Sequence, residues 1–535
     1  MGALIASVLL FPLVLAVAMT ASTSRPMAAR LAARLAALAP LPALLLALGA
    51  PTGLALDLPW LLLGSRFELD QTGRLFLGFT ALVWLLAAWY ARGYLRDDPR
   101  RHVFQGFFLA AQMGNLGLCL AGDAASFYLL FALMTFAAYG LVIHSGSLEA
   151  RRAGRVYIVM AVLGEAALVA GMLLATQAAG TILLADLAAA PPAGPAALLL
   201  LAGFGVKLGL PLLHMWLPLA HPVAPLPASA VLSAVMIKAG LLGWLRFLPL
   251  GTAALPELGA ALMTAGLAAA FLGVAAGLAQ RDAKVLLAYS SVSQIGYLAL
   301  AVGAGLRAPE LWPALLPAVG LYAVHHALAK SALFLGVGVA QAHGGRAWVL
   351  AGLALPALAL AGAPFTSGML AKSFLKTGLD GLGGAWAALL PGLLGLAALA
   401  TGLLMARLLI LLAAQKPGGA QAGLAAPWWG LLLAGIAAPL WLSPPGAAAR
   451  LADLSALGAA LWPVVLAAVL ALAARRASWR VPVVPPGDVL VLLERLWSRH
   501  WPPMQAWAAA RSGRCRDWAR RLAAPLAQAI QRAIR

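Results

Sequence analysis

Long apolar runs, each closed by a short polar or glycine- and proline-containing stretch, follow one another along nearly the whole chain. Fifteen can be marked, at about 3–20, 35–50, 75–91, 104–121, 125–144, 156–178, 196–217, 228–248, 258–279, 285–304, 313–340, 349–378, 386–413, 427–443 and 456–474. A helix needs about 20 apolar residues to cross a bilayer, and most runs approach that length. Backbone polar groups inside lipid must be satisfied within the segment, so the runs are expected to be helical. The short alternating strands of an outer-membrane barrel are not seen. The pattern predicts an all-α polytopic membrane protein with about 14–15 transmembrane helices.

Composition agrees with the pattern. Of 535 residues, 63% are hydrophobic and 10% charged, whereas a soluble domain carries roughly a quarter charged. The opening stretch MGALIASVLLFPLVLAVAMTAS lacks a basic start and reads as a first span, not a signal peptide. Basic residues alternate between the inter-run loops. One set holds Arg25, Arg30, Arg34, Arg92, Arg96, Arg100, Arg101, Arg151, Arg152, Arg155, Arg281, Lys284, Arg346 and Lys416; the opposite set holds Arg66, Arg74, Arg307 and Arg450. The positive-inside rule puts the first set in the cytoplasm, the N-terminus outside and the tail inside, as in a bacterial inner membrane. Residues 475–535 repeat Trp501, Trp507, Trp518, Leu522, Leu526 and Ile530 among arginines. They read as a basic amphipathic tail on anionic lipid or on a partner subunit. The net charge of +20 comes mostly from this tail and the cytoplasmic loops, so nucleic-acid binding is not expected.

Several chemistries are excluded. Cys119 and Cys515 are too few and too far apart for an iron–sulfur site, which takes four thiolates. No GxxxxGK[ST] loop, no GxGxxG opening a helix after a strand and no GxSxG elbow is present. Redox chemistry and cofactors are therefore assigned to partners, with no catalytic centre, metal or cofactor expected in this chain. His214 and His221 are read as orienting helix ends and water, not as a metal site.

Charge inside the apolar runs carries the functional signal. Lys207, Lys238, Lys330, Lys372, Glu165, His325 and His326 all fall within them. One charge at the bilayer centre costs about 2.5–3.5 kcal/mol on insertion scales, and such residues face a bundle interior or water and mark ion pathways. Lys376, Arg407 and Arg246 sit near run ends and are read as snorkelling. Two runs are also interrupted. The seventh holds Gly203, Gly205, Gly209, Pro211 and Pro218 beside Lys207; the twelfth holds Gly362, Pro364 and Gly368 beside Lys372. Paired breaks five runs apart, each with a lysine, are the pattern of an internal repeat with discontinuous helices.

The stretch VKLGLPLLHMWLPLAHPVAPLPASAVLSAVMIKAGLLG adds a specific motif: Lys207, then His214, Trp216, Leu217, Pro218, Ala220 and His221, then Pro225, Ser229 and Ser233, then Lys238. Together with RDAKVLLAYSSVSQIGY, HHALAKSALFLG and GAPFTSGMLAK, it resembles the antiporter-like subunits of respiratory complex I, Mrp-type cation/proton antiporters and membrane-bound hydrogenases. The resemblance covers roughly residues 75–475. It implies two inverted five-helix repeats, 104–248 and 249–413, between N-terminal helices over 1–103 and C-terminal helices over 414–475, with the tail at 476–535. It further implies a chain of ionisable groups: Lys207 at the centre of the first half-channel, Lys238 as the link, then His325, His326 and Lys330, with Lys372 last. One departure stands out, since Ala132 occupies the place where the family carries a glutamate in its fifth helix. Glu165, in the next run, is expected to replace that acid as the partner of Lys207; the alternative is a degenerate half-channel in which Glu165 only caps a polar pocket.

Three function classes follow. The first is a proton-translocating subunit of a complex I-like or hydrogenase-linked redox complex, with other membrane subunits as partners. The second is a subunit of a Mrp-type sodium/proton antiporter or of an ion-coupled uptake system. The third is a non-conducting scaffold, which Ala132 favours and the intact lysine series opposes.

Overall fold

The apolar runs fold as helices whose peripheral members expose leucine and valine outward, as contact with lipid requires. In the last, α-helical Leu454–Arg476, Leu461, Val465, Val469 and Leu472 all face out. A computed structural model describes residues 2–20, 27, 31, 34–62, 64–189, 194–419, 423–443, 445–477, 484–487 and 490–491. Contacts divide the chain into Met1–Pro486 and Gly487–Arg535. The second unit, and with it most of the expected amphipathic tail and Cys515, lies almost wholly outside the described residues.

The helices used below are α1 (Gly2–Thr20), α2 (Leu41–Gly49), α3 (Gln71–Tyr94), α4 (Arg101–Gly117), α5 (Ala124–Val142), α6 (Leu148–Ala179), α7 (Gly194–Leu208), α8 (Trp216–Val223), α9 (Leu226–Phe247), α10 (Pro256–Leu278), α11 (Ala283–Arg307), α12 (Trp312–His343), α13 (Ala347–Ala361), α14 (Ser367–Leu379), α15 (Ala385–Ala413), α16 (Ala425–Trp441), α17 (Ala447–Ala452) and α18 (Leu454–Arg476). Among the described residues, ten helices are long and apolar enough to cross a membrane, and four shorter apolar ones run 10–17 residues. The run read at 104–121 is α4, which is more polar and carries Gln105, Gln112 and Asn115. The fifteen runs thus each find a helix, but the runs at 196–217 and 349–378 are split, into α7 with α8 and α13 with α14.

One element departs from an all-α reading. Leu54–Leu58 and Ser65–Leu69 pair as an antiparallel hairpin between α2 and α3. Ser65, Phe67 and Leu69 are buried on one face in the alternation expected of a half-covered strand. The hairpin ends at Asp70, which caps α3 by accepting the Gly73 N–H at 2.7 Å. Asp70 also takes both guanidinium nitrogens of Arg246, at 2.5 and 2.7 Å, from the end of α9. Arg246 is therefore held in a bidentate ion pair, which corrects its reading as a snorkelling residue.

The core is formed by α9, α11 and α12. The membrane-length stretches of α11 and α12 are buried all round, as helices apolar on every face should be. α10 lies against α11 through small residues. A Cβ on Gly266 would meet the Gly296 carbonyl oxygen at 2.6 Å, and one on Gly273 would meet the backbone nitrogen of Ser293 at 2.8 Å. Small residues at this spacing let the two backbones meet without a side chain between them.

Candidate functional site

Helix α7 stops one residue after Lys207 because Gly209 turns into the left-handed region, at φ 75°. Pro211 follows within the break, and His214 sits buried just before α8, its ring edge-on to Tyr289. Pro218 was expected to mark the break; it lies instead in the first turn of α8, where a missing N–H costs nothing, and Pro222 is the proline inside that helix. The Trp216 indole donates to the freed Val206 carbonyl at 2.8 Å. Broken backbone is thus satisfied inside the bundle, not left to lipid.

At this end Lys207 is buried and donates to Thr135 Oγ1 of α5 at 3.2 Å. Its ammonium lies over the rings of Phe131 and Tyr157, at 5.7 and 5.9 Å. Glu165 is also buried and lines the same cavity of about 20 Å³, with Thr135, Phe131, Tyr157 and Trp216. That is room for one water, which takes ≳10–15 Å³ on this measure. Lys207 and Glu165 do not approach within the 4.0 Å of an ion pair. The acid and the lysine share a cavity, then, and Thr135 is the group that touches the ammonium.

Helix α9 contains a π-helical turn, Leu232–Met236, which ends two residues before Lys238. Such a turn frees backbone geometry and often marks a functional position. Here Ser233 Oγ meets Ser291 Oγ of α11 at 2.7 Å, and Lys238 Nζ hydrogen-bonds Nδ1 of His326 on α12. Lys238, His326 and Lys330 are all fully buried. Lys330 donates to the Leu287 carbonyl at 2.5 Å and to Ser290 Oγ at 2.6 Å.

From there the polar groups continue toward the second break. His325 Nδ1 is 2.8 Å from Ser367 Oγ, at the start of α14. Tyr322 donates to Gln294 Oε1 at 2.8 Å, and Gln294 Nε2 donates to Thr401 Oγ1 at 3.2 Å. Tyr322 stacks on Tyr297, and Lys372 Nζ lies 5.2 Å from the Tyr297 ring. The break itself spans Gly362 at φ 87° and Phe365 at φ 62°, with Pro364 between them. Lys372 donates back across it to the carbonyls of Leu360 and Ala361, at 2.8 and 3.1 Å, the last turn of α13. A cation at a helix C-terminus is favourably placed. Lys372 also lines a cavity of about 440 Å³ with Lys376, Asp380, Arg450 and Asp453.

The structure thus brings Lys238, His326, His325, Lys330 and Lys372 into one neighbourhood through Ser290, Ser291, Gln294, Tyr297, Tyr322 and Thr401, as Thr135 serves Lys207. Single hydroxyls and amides in apolar helices give no signal, because a serine or threonine there can bond its own helix backbone, as Thr401 does to Ala397. Lys284, beside Arg281, reads in the sequence as a cytoplasmic loop charge. It is buried, and its ammonium donates to the carbonyls of Pro222 and Ala224 at 2.9 and 2.6 Å. Among the described residues, no cluster of three or more His, Cys, Asp or Glu could hold a metal ion.

Residues 121–394, just over half of the chain, match the family described as NADH:quinone oxidoreductase/Mrp antiporter, transmembrane. The chain belongs to this family. It is 33% identical over 285 residues to hydrogenase-4 component B of Escherichia coli (strain K12), covering 51% of this chain and 42% of that protein. It is 32% identical over 288 residues to NADH-quinone oxidoreductase subunit N of Desulforudis audaxviator (strain MP104C), covering 52% and 56%. The chain spans about half the length of the curated relatives it matches. Its fold is similar to a chain of the Mrp complex from Dietzia sp. DQ12-45-1b, with a TM-score of 0.75 at 25% identity over 96% of this chain and 60% of that one. The matched segment runs from the start of α5 into α15 and so contains every buried lysine described above.

Proposed function

We propose that this chain is a proton-conducting subunit of a multisubunit inner-membrane complex. The observation that carries the reading is the series of buried cations, imidazoles and hydroxyls linking α9, α11, α12, α14 and α15. A lysine that can lose and regain a proton, next to a histidine and hydroxyl donors, is suited to relaying protons and poorly suited to holding sodium, which needs carboxylates or clustered carbonyls. In this reading protons enter at the Glu165–Lys207 cavity, pass Lys238, His326, Lys330 and His325, and leave from Lys372 into the 440 Å³ cavity. That cavity is lined by Arg450, a member of the sparse loop set, and the positive-inside rule then supports an exit outside, with the basic loops in the cytoplasm. The pseudo-symmetry implied by the two lysine-bearing breaks supports a pair of repeats, α4–α9 and α10–α15.

The chain transduces energy and does not release it, so its partners are other membrane subunits. Likeness to hydrogenase-4 component B favours a redox-driven complex. Likeness to the Mrp complex keeps gradient-driven antiport as the second reading.

The test uses the complex purified from its native membrane, with mass spectrometry of the bound subunits, reconstituted in liposomes holding a pH-sensitive dye. Flux is driven by an electron donor and quinone, then by a sodium gradient. Lys372→Ala is expected to abolish proton flux under whichever drive works, with the complex still assembled. Full flux in Lys372→Ala would overturn proton conduction through this chain. Recovery of redox subunits separates the first driving mode from the second.

A further inference from the structure

His221 is fully buried, stacks on Phe334 at 4.7 Å, and among the described residues has no hydrogen-bond partner on either ring nitrogen. A helix-orienting histidine would be anchored through at least one nitrogen, so this ring serves another end. Two lysines flank it. Lys330 holds its ammonium 5.3 Å from the centre of the same Phe334 ring. Lys284 donates to the carbonyls of Pro222 and Ala224, the first and third residues after His221. Lys284 opens α11 behind its cap Asp282 and is 9% exposed, whereas His221 and Lys330 are 0% exposed. The three groups therefore lead from the rim of the bundle to its centre.

The rim is the one that carries Arg281 and the other basic loops, and the path joins the polar series at Lys330 without passing Glu165 or Lys207. The same face of α11 then continues it, through Ser290, Ser291, Gln294 and Tyr297. Resting on the proton-conduction reading above, we propose that Lys284 and His221 form a second proton inlet, opening on the basic face and feeding Lys330 directly. The step balances within these groups. Neither lysine is hydrogen-bonded to the ring, so the transfers run through bridging water: the Lys284 ammonium releases a proton, His221 takes it on one ring nitrogen and gives up the proton of the other, and a neutral Lys330 amine accepts it. Water at the rim reprotonates Lys284, and rotation of the imidazole resets its tautomer.

A purely structural role for Lys284, neutralising the carbonyl end of α8, makes a different prediction. Arginine keeps the charge and the donors but does not give up its proton at any pH a protein works in. The reconstituted complex is therefore compared as Lys207→Met, Lys207→Met with Lys284→Arg, and Lys207→Met with His221→Phe, the last preserving the stack on Phe334. Lys207→Met alone is expected to retain part of the flux, and each added substitution to remove what remains. The second inlet is overturned if Lys207→Met alone removes all flux, or if Lys284→Arg leaves its residual flux unchanged. Either result leaves the conduction reading standing, since that reading falls only if Lys372→Ala still conducts. Should His221→Phe prevent assembly, Lys284→Arg carries the test by itself.

Discussion

The Glu165–Lys207 cavity gives a prediction whose size can be bounded. The two groups are both buried but lie more than 4.0 Å apart. At an effective dielectric of about 20, unit charges at 4 Å attract by about 4 kcal/mol, which is therefore the ceiling for this pair. Glu165→Gln keeps the side-chain shape and removes that attraction, so the population of charged Lys207 can change by up to about a thousandfold, each 1.4 kcal/mol being a factor of ten. Flux through this inlet is expected to fall by about tenfold or more, because general acid–base steps depend that steeply on a matched proton affinity. Thr135→Val removes the hydroxyl that Lys207 donates to. A hydrogen bond to a charged group contributes about 1.5–3 kcal/mol, so its effect should be comparable and, in a double-mutant cycle with Glu165→Gln, not additive. The assay is dye-monitored flux in the reconstituted complex, with assembly checked by size-exclusion chromatography. If Glu165→Gln matches the native chain while Lys207→Met lowers flux, the carboxylate is not the partner of this lysine and the substitution for Ala132 is refuted.

Two further outcomes concern stability. Burial opposes the charge of Asp70, but the hydrogen bonds and charge of Arg246 outweigh it and hold the carboxyl below its usual value of 3.8. The pair therefore stabilises the fold above the ordinary carboxylate range and loses that contribution as pH falls through the depressed value. Asp70→Asn should lower the detergent Tm at neutral pH by the equivalent of about 1–2 kcal/mol, a figure reduced for the partial exposure of Asp70, and the gap to the native chain should begin to narrow below about pH 4 and close beneath the depressed value. A gap that widens in acid would refute the sign. Gly266→Leu should drive α10 from α11, since even a Cβ there meets the Gly296 carbonyl oxygen at 2.6 Å. Overpacking of this kind costs about 1–3 kcal/mol, read as a lower Tm or loss of purified complex; an unchanged Tm would show that the helices can part freely.

The sequence by itself determined the membrane class, the run of helices, the two breaks and the identity of the buried ions. These are one-dimensional properties. A transmembrane helix is written as consecutive apolar residues, a break as glycine and proline in fixed places, and a charge in lipid stands out because it is costly. The motif from Lys207 to Lys238 carried the family in the same way. What the tertiary structure alone decided is who touches whom. Lys238 meets His326 across 88 residues of chain, and Tyr322 meets Gln294 across 28. Thr135 reaches Lys207 only because α5 packs beside the end of α7. No periodicity marks a threonine or glutamine as a relay, since these residues satisfy themselves locally in most apolar helices. Lys284 shows the same limit from the other side. Its place beside Arg281 reads as a solvated loop charge, and only the end of α8 packing over the first turn of α11 turns it into a buried donor to two carbonyls. The hairpin at 54–69 was hidden because its strands are five residues long and draw their burial from the helices around them.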